Sequence, residues 1–323
     1  VNEILVSIDC ITYNHEKYIA EAIDSFLMQK TNFKYEILIH DDASTDGTQQ
    51  IIKEYYEKYP DIIKPILQIE NQYSKGVNEI RYTFNHSRAL GKYVAVCEGD
   101  DYWTDCNKLQ KQVDYMESHP ECGLCFHAAE KVKVGKGKID SIKPYNGSCI
   151  SPLEEVILGG GGFMATNTIL YRKKVVDNAP DFYLNAPIDD YPLQVLTASK
   201  NYAYYIDEFM AVYRLGVEGS WSSRMSEKDG MEERLINHKE KIIILLKEIN
   251  DYFEGEYLEV INNGILRCKF DILELQGNLK EIKGTKYKLI YDSKGIKGKI
   301  KIYLRCEFPN IYKHLLNIKE RLN

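Results

Sequence analysis

The first apolar run, Ile4-Leu5-Val6-Ser7-Ile8-Asp9-Cys10-Ile11, reads as a strand. The period then changes. Tyr18, Ile19, Ala22, Ile23, Phe26 and Leu27 recur at three- and four-residue spacing, which predicts a helix with Asn14 as its N-cap. The pattern repeats: residues 35–40 predict a second strand, Ser44 or Asp46 caps a helix carrying Ile51, Ile52, Tyr55 and Tyr56, and residues 62–69 predict a third strand. A helix over about 78–90 leads to a strand at 92–97, and a further helix covers about 107–118. Strands alternating with helices in this way predict an α/β fold: a mostly parallel central sheet with helices on both faces.

From residue 122 the rhythm loosens. A strand at 122–129, a Gly/Lys-rich turn at 134–138 and the run Gly159–Gly162 lead into Thr166-Asn167-Thr168-Ile169-Leu170-Tyr171. A helix near 189–199 and strands near 202–206 and 210–215 follow. Beyond Trp221 the sequence becomes a series of charged amphipathic helices. The expected division is therefore a catalytic-type domain over 1–222 and a helical extension with a basic tail over 223–323.

At 323 residues the chain is long enough for a core that needs no staples. Its eight cysteines are scattered, several within apolar runs, which fits free thiols in a reducing compartment. Cys122 and Cys125 have metal-ligand spacing, but no second pair accompanies them and their segment alternates like a strand. No apolar run approaches the roughly 18 residues that span a bilayer, and the start lacks a signal-peptide pattern, so a cytoplasmic location is expected. Charge is uneven: residues 280–323 hold 12 Lys/Arg against 4 Asp/Glu in a chain whose total is −6. With Phe308, Ile311, Tyr312, Leu315, Leu316 and Leu322 on one face of a helix begun by Pro309, this tail fits either peripheral contact with an anionic membrane or packing on protein. Nucleic acid is not an expected partner.

Open parallel sheets bind ligands beyond the carboxyl ends of their strands. Thr12-Tyr13-Asn14, Asp41-Asp42 and Glu98-Gly99-Asp100-Asp101 each follow such an end. The acidic stretch CEGDDYW at 97–103 concentrates charge where like charges repel, unless a cation joins them. Consecutive side chains on extended backbone point oppositely, so Asp100 and Asp101 can serve two ligands, one a divalent ion and the other a hydroxyl. Asp42 can accept a hydrogen bond from a base N–H, and Tyr13 offers a ring for stacking. Thr166, Asn167 and Thr168 are candidates for an acceptor cleft.

Taken in order, Thr12-Tyr13-Asn14, Ile39-His40-Asp41-Asp42-Ala43-Ser44-Thr45-Asp46-Gly47-Thr48, Ala89-Leu90-Gly91-Lys92-Tyr93 and Glu98-Gly99-Asp100-Asp101-Tyr102-Trp103 resemble the inverting family 2 glycosyltransferases of the GT-A fold. The resemblance covers about the first 220 residues and is closest to bacterial members that build capsule, O-antigen or related surface polysaccharides. It implies a nucleotide-sugar donor, UDP-linked, a divalent metal, Mn²⁺ or Mg²⁺, and a glycan acceptor that is in some cases lipid-linked. By position it implies a nucleotide-binding turn at Thr12, Tyr13 and Asn14, uracil recognition by Asp42, donor contact by Arg81, and ribose and metal contacts by Asp100 and Asp101. Asp189-Asp190 matches the acidic pair whose second member is the catalytic base, and Tyr213-Arg214 with Gly219–Ser222 matches a segment closing over the donor.

The sequence departs from the family pattern at three points. Gly216 stands where many relatives place a histidine ligand, Tyr82 follows Arg81 where asparagine is common, and Asp189 replaces the commoner glutamate. Two alternatives share parts of the pattern. A nucleotidyltransferase would show a glycine-rich, lysine-bearing loop after the first strand, which Thr12-Tyr13-Asn14-His15-Glu16 is not. A non-catalytic nucleotide-sugar sensor or scaffold would bind UDP and tolerate loss of Asp190.

Overall fold

The structure, a computed structural model, describes residues 3–227, 229–312, 314 and 315. The chain divides into two compact units, Val1–Arg224 and Met225–Asn323. The first unit is built on one sheet of ten strands: β1 (Ile4–Thr12), β2 (Lys34–Asp41), β3 (Ile63–Leu67), β4 (Tyr93–Val96), β5 (Tyr102–Trp103), β6 (Cys122–Lys133), β7 (Gly137–Ile142), β8 (Cys149–Ser151), β9 (Leu170–Arg172) and β10 (Tyr202–Leu215). In space they run β3-β2-β1-β4-β9-β6-β10-β5, with β7 beside β6 and β8 beside β10. The first four strands are mutually parallel, as are β6 and β10. Between these groups β9 is antiparallel to both neighbours, so direction reverses twice and the carboxyl ends of β1, β2, β4 and β10 share one edge.

Side chains alternate across a strand, and here the two faces differ in chemistry. Val6, Ile8 and Cys10 of β1 join Ile37 and Ile39 of β2 on an apolar face. It is covered by α1 (Ile19–Leu27), α2 (Thr48–Lys58) and α3 (Lys108–Ser118), which bury Ile19, Ile23, Phe26, Ile52, Leu109 and Met116 against it. Each such side chain contributes about 1.5–3 kcal/mol through removal from water. The opposite face of the same strands carries Ser7, Asp9, Glu36 and His40, all buried. Polar groups out of water need partners. Ser7 Oγ donates to Glu36 at 2.6 Å, the Gly91 and Leu90 amides donate to Ser7 and Glu36, and His40 stacks on Phe84 with ring centres 4.4 Å apart. On β1 and β2 that face meets a π turn over Arg81–Asn85, which runs into a tighter turn over His86–Arg88, while α7 (Asp190–Ala198) packs on β6 and β10 and is flanked by α4 (Leu153–Gly159), α5 (Lys173–Val176) and α6 (Asp181–Leu184).

Four local expectations change. Asn14 does not cap α1, which begins after Tyr18; it has a left-handed backbone (φ 57°), and its side chain accepts the Thr45 amide at 2.7 Å. For α2 it is Asp46, not Ser44, that accepts an early N–H, from Thr48 at 3.0 Å, while Ser44 receives the Asn14 amide. The expected helix over 78–90 is a π turn and a 3-10 turn, whose wider winding brings Arg81 and Asn85 together onto Asp9. The two strands expected at 202–206 and 210–215 are one, β10, with register shifts between Ile206 and Ala211 absorbing the polar Asp207-Glu208 pair.

The second unit pairs helices Met231–Tyr252 and Leu258–Leu275 and adds shorter ones at Leu279–Ile282, Lys288–Ser293 and Gly295–Glu307. Phe270, Leu279, Ile282, Tyr287 and Ile302 form its small core. Much of the amphipathic helix expected after Pro309 lies outside the described residues. Among those described, no helix is long and apolar enough to cross a membrane.

Close packing of β6 on α7 gives a test of the sheet's register. A methyl at Gly123 would lie 2.0 Å from the Thr197 carbonyl, whereas one at Gly162 would meet nothing within 4 Å. Gly123→Ala is therefore expected to lower unfolding free energy by about 3 kcal/mol or more in a urea titration. Gly162→Ala should leave it nearly unchanged; equal stability of the two variants would contradict the packing.

Candidate active site

Three loops converge at the shared strand edge. After β1, Thr12 is buried against Gly99, where a side chain would strike Thr12 Oγ1 at 2.6 Å. Tyr13 is 39% exposed, leaving its ring open to a ligand. The Asn14 amide donates to Ser44 and the His15 amide to Thr48, each at 2.8 Å, so the first loop is locked to the second. After β2, Asp41 orders its own loop by accepting the Ser44 amide and the Gln49 side chain. Asp42 holds the chain crossing from β3: its carboxylate oxygens accept the Gln72 amide at 2.7 Å and the Tyr73 amide at 3.1 Å. Each oxygen keeps a second lone pair for another donor.

The acidic loop after β4 is the third. Asp101 is buried, and its Oδ1 accepts the Arg214 amide from the end of β10 at 2.8 Å. The Arg214 guanidinium donates to the Asp100 carbonyl at 2.6 Å and to Glu21, and lies over the Tyr102 ring at 4.3 Å. Asp100 Oδ2 faces His15 Nε2 at 3.8 Å. Burial, then the charges of Asp100 and Glu98, push the Asp101 carboxyl well above its ordinary range. Burial raises Glu98 to about 7, with Arg81 opposing and Asp100 adding. Among the described residues no three or more His, Cys, Asp or Glu side chains form a ready-made metal cage. What the loop does offer is two hard carboxylates whose repulsion a divalent ion would relieve, a donor set that suits an ion completing its shell with phosphate oxygens and water.

Beneath the loop lies Arg81, 1% exposed, its guanidinium 3.2 Å from Asp9 Oδ2 and 2.8 Å from Glu98 Oε1. Sequence reasoning put Arg81 on the donor; the structure puts it under the carboxylates, holding Glu98 in place. The Asn85 side-chain amide donates to Asp9 Oδ1 at 2.7 Å. Asp9 was not anticipated, although a lone carboxylate inside an apolar strand is itself a sign of a buried partner. Glu79, which meets Asp189, gave no such sign.

At the head of α7 the two aspartates part company. Asp189 faces Glu79 and Arg81 and is raised by burial, with Asp9 adding and the Glu79 hydrogen bond opposing. Asp190 accepts its neighbour's amide, Tyr191 N–H, at 2.7 Å, and lies against the glycine turn, 3.4 Å from where a Gly161 methyl would sit. Burial pushes Asp190 up to about 6, with Asp189 adding and the Tyr191 amide opposing. Asn167 and Thr168, candidates for an acceptor cleft, are fully buried instead: Asn167 donates to the Val212 carbonyl and accepts from Trp103 through its own carbonyl. Cys122 and Cys125 are free thiols packed in the core.

The family model described as "Glycosyl transferase family 2" matches residues 7–178. An uncharacterized protein of Mycobacterium tuberculosis is 40% identical over 224 residues, covering 69% of this chain and 62% of the relative. The chain thus spans about 62% of the length of that relative. An uncharacterized glycosyltransferase of Nostoc sp. is 28% identical over 258 residues, 76% of this chain and 75% of the relative. Among solved structures, S. aureus TarS 1-349 in complex with UDP-GlcNAc superposes with a TM-score of 0.56 at 18% identity, over 94% of this chain and 91% of that one, a likeness of fold.

The raised carboxyl of Asp101 has a consequence for stability. Its folded pKa exceeds the unfolded one of about 3.9, so its stabilising contribution is complete below that value and is lost as pH rises. Toward neutral pH the carboxyl must either hold its proton against the solvent or carry a buried charge, and either is a cost to the metal-free fold, while asparagine would still accept the Arg214 amide. Asp101→Asn should raise the melting temperature of EDTA-treated protein by about 2–4 °C. A lower melting temperature would show that the charge is already compensated.

Proposed function

The chain belongs to glycosyl transferase family 2, and from that premise we propose that it is a metal-dependent inverting glycosyltransferase. It moves a hexosyl or N-acetylhexosaminyl group from a nucleotide sugar, UDP-linked, to a hydroxyl of a growing bacterial surface glycan such as capsule or O-antigen. The observation that carries the proposal is the placement of the carboxylates: Asp100 and Asp101 follow the end of β4, and Asp190, at the head of α7, is near enough to act on Glu98 of the same loop. Support for the donor class comes from the fold neighbour TarS, solved with UDP-GlcNAc, and support for a divalent ion from a mannosyltransferase of Pyrobaculum calidifontis solved with GDP-Man and Mn²⁺.

In this proposal Tyr13 stacks on the base, Asp42 accepts its N–H, and Thr12 and Asn14 shape the turn around it. Asp100 meets the ribose and Asp101 holds the metal with it. A bound divalent ion would act as a Lewis acid on the departing diphosphate. Asp190, not Asp189, is the general base: its carboxylate lies by the glycine turn, whereas the Asp189 carboxyl is engaged with Glu79. A base titrating at about 6 is ionised at neutral pH yet retains proton affinity for an acceptor hydroxyl as it attacks the anomeric carbon. The lysine-rich tail over 280–323, with Leu289 and Ile296 exposed, is assigned to peripheral contact with anionic lipid, where lipid-linked acceptors reside.

Calorimetric titration with UDP, GDP and CDP, with and without Mn²⁺, tests the donor site. Mn²⁺-dependent preference for UDP is expected, and its loss in Asp101→Ala; nucleotide binding indifferent to metal would remove the central assignment. Asp190→Asn should keep UDP binding and lose about 10²- to 10⁴-fold in turnover. Turnover of the native protein should rise through about pH 6, because the base must be deprotonated. Full turnover by Asp190→Asn would instead favour a different base, and absence of any turnover with intact binding a sensor.

A further inference from the structure

Glu79 leads into the π turn, and Asp189 precedes α7. Glu79 is 6% exposed, and both its carboxyl oxygens, together with Asp189 Oδ1, are buried with no N–H or hydroxyl donor among the described residues. The two carboxyl groups are instead within hydrogen-bond reach of each other. Two ionised carboxylates cannot hydrogen-bond, since each offers only acceptors. Arg81 faces both of them, but its two terminal nitrogens go to Asp9 and Glu98, and only its buried Nε is left unpartnered, one donor of a single positive charge already shared with two other carboxylates. Asp9 and Asp190 add negative charge around Asp189, and the Tyr183 and Tyr171 rings close the space. Nothing in this surrounding compensates a second full charge.

We infer that Glu79 and Asp189 share one proton and that the pair positions Asp190, tying the start of α7 to the π turn. Glu79 and Asp189 are positioning residues; the catalytic role remains with Asp190, so the inference rests on that assignment. Holding one proton keeps the charge beside Asp190 at one unit instead of two. It also fixes the backbone immediately before the base, because Asp189 cannot leave without stranding the Glu79 carboxyl.

Burial first, and then the charge of Asp189, raise Glu79 to about 10. Its folded value lies above the unfolded one, so the folded chain keeps a proton that the unfolded chain has released, and stability falls as pH climbs toward that value. Glutamine at this position donates permanently and carries no titration.

Three measurements on the full chain test this. In infrared difference spectra of native protein minus E79Q at neutral pH, an additional carbonyl stretch of a protonated carboxylic acid is expected, beyond whatever Asp101 and Glu98 give in both proteins; its absence from the difference would overturn the shared proton. The melting temperature should fall between pH 6 and pH 9 more steeply in the native protein than in E79Q, and equal slopes would likewise overturn it. Finally, Asp190 is followed by carbon NMR of aspartate-labelled protein, its signal identified by loss in D190N. Its titration midpoint should move by about half a unit or more in E79A and return in E79Q. An unmoved midpoint in E79A, or E79Q behaving like E79A, would overturn the positioning role. Mn²⁺-dependent UDP binding, measured on the same samples, reports separately on the proposed function, since the infrared band does not depend on it.

Discussion

A carboxylate in the middle of a buried strand forces a solution on the chain around it, and Asp9 is that carboxylate. It is fully buried in β1 between residues that belong to an apolar core. Its charge requires a cation and further donors, which arrive from a single covering segment as Arg81 and Asn85. Once Arg81 is committed there, its second nitrogen reaches Glu98, and the end of β4 is fixed against β1. Asp100 and Asp101 follow directly in sequence. The same guanidinium faces Asp189 at the head of α7. One buried cation therefore sets both sides of the site, the acidic loop and the helix that carries Asp190.

What was legible in the sequence was whatever is decided locally. Strands β1 to β4 and helices α1 to α3 announce themselves by period, because each has one face on the same apolar core. The acidic loop, the Thr12-Tyr13-Asn14 turn and Asp42 were legible because they follow strand ends, where parallel topology gathers them. Expectations changed where a distant partner outbid a local one. Asn14 has every property of an N-cap, yet the Thr45 amide across the loop takes its side chain and the left-handed backbone turns it away from α1. Residues 78–90 have helical periodicity, but the demand of Asp9 widens the turn. Asn167 and Thr168 look like part of a polar cleft, but both are buried, their side chains donate to buried carbonyls, and the Asn167 carbonyl accepts from the Trp103 indole.

Glu79 marks the limit of sequence reasoning. Nothing near it in sequence signals an unusual state; its meaning comes from Asp189, far along the chain and brought close only by the fold. Asp190 shows the converse. A carboxylate opening a helix is ordinary in sequence, and what sets it apart is that its neighbour is engaged elsewhere, so Asp190 alone lies against the glycine turn.

Burial raises every carboxyl on this edge whose shift is resolved, and neighbours then sort them. Arg81 restrains Glu98 to about 7, the Tyr191 amide restrains Asp190 to about 6, and Glu79, beside Asp189, climbs to about 10. Environments that drive like groups apart are how one site obtains both a proton acceptor and a proton holder at neutral pH. Such a cluster is costly to fold, and it is carried by the apolar face opposite, where Val6, Ile8, Ile37 and Ile39 pack under α1 and α2. The alternation of a single strand divides these duties: even-numbered positions of β1 hold the sheet together, and odd-numbered ones, Ser7 and Asp9, organise the site.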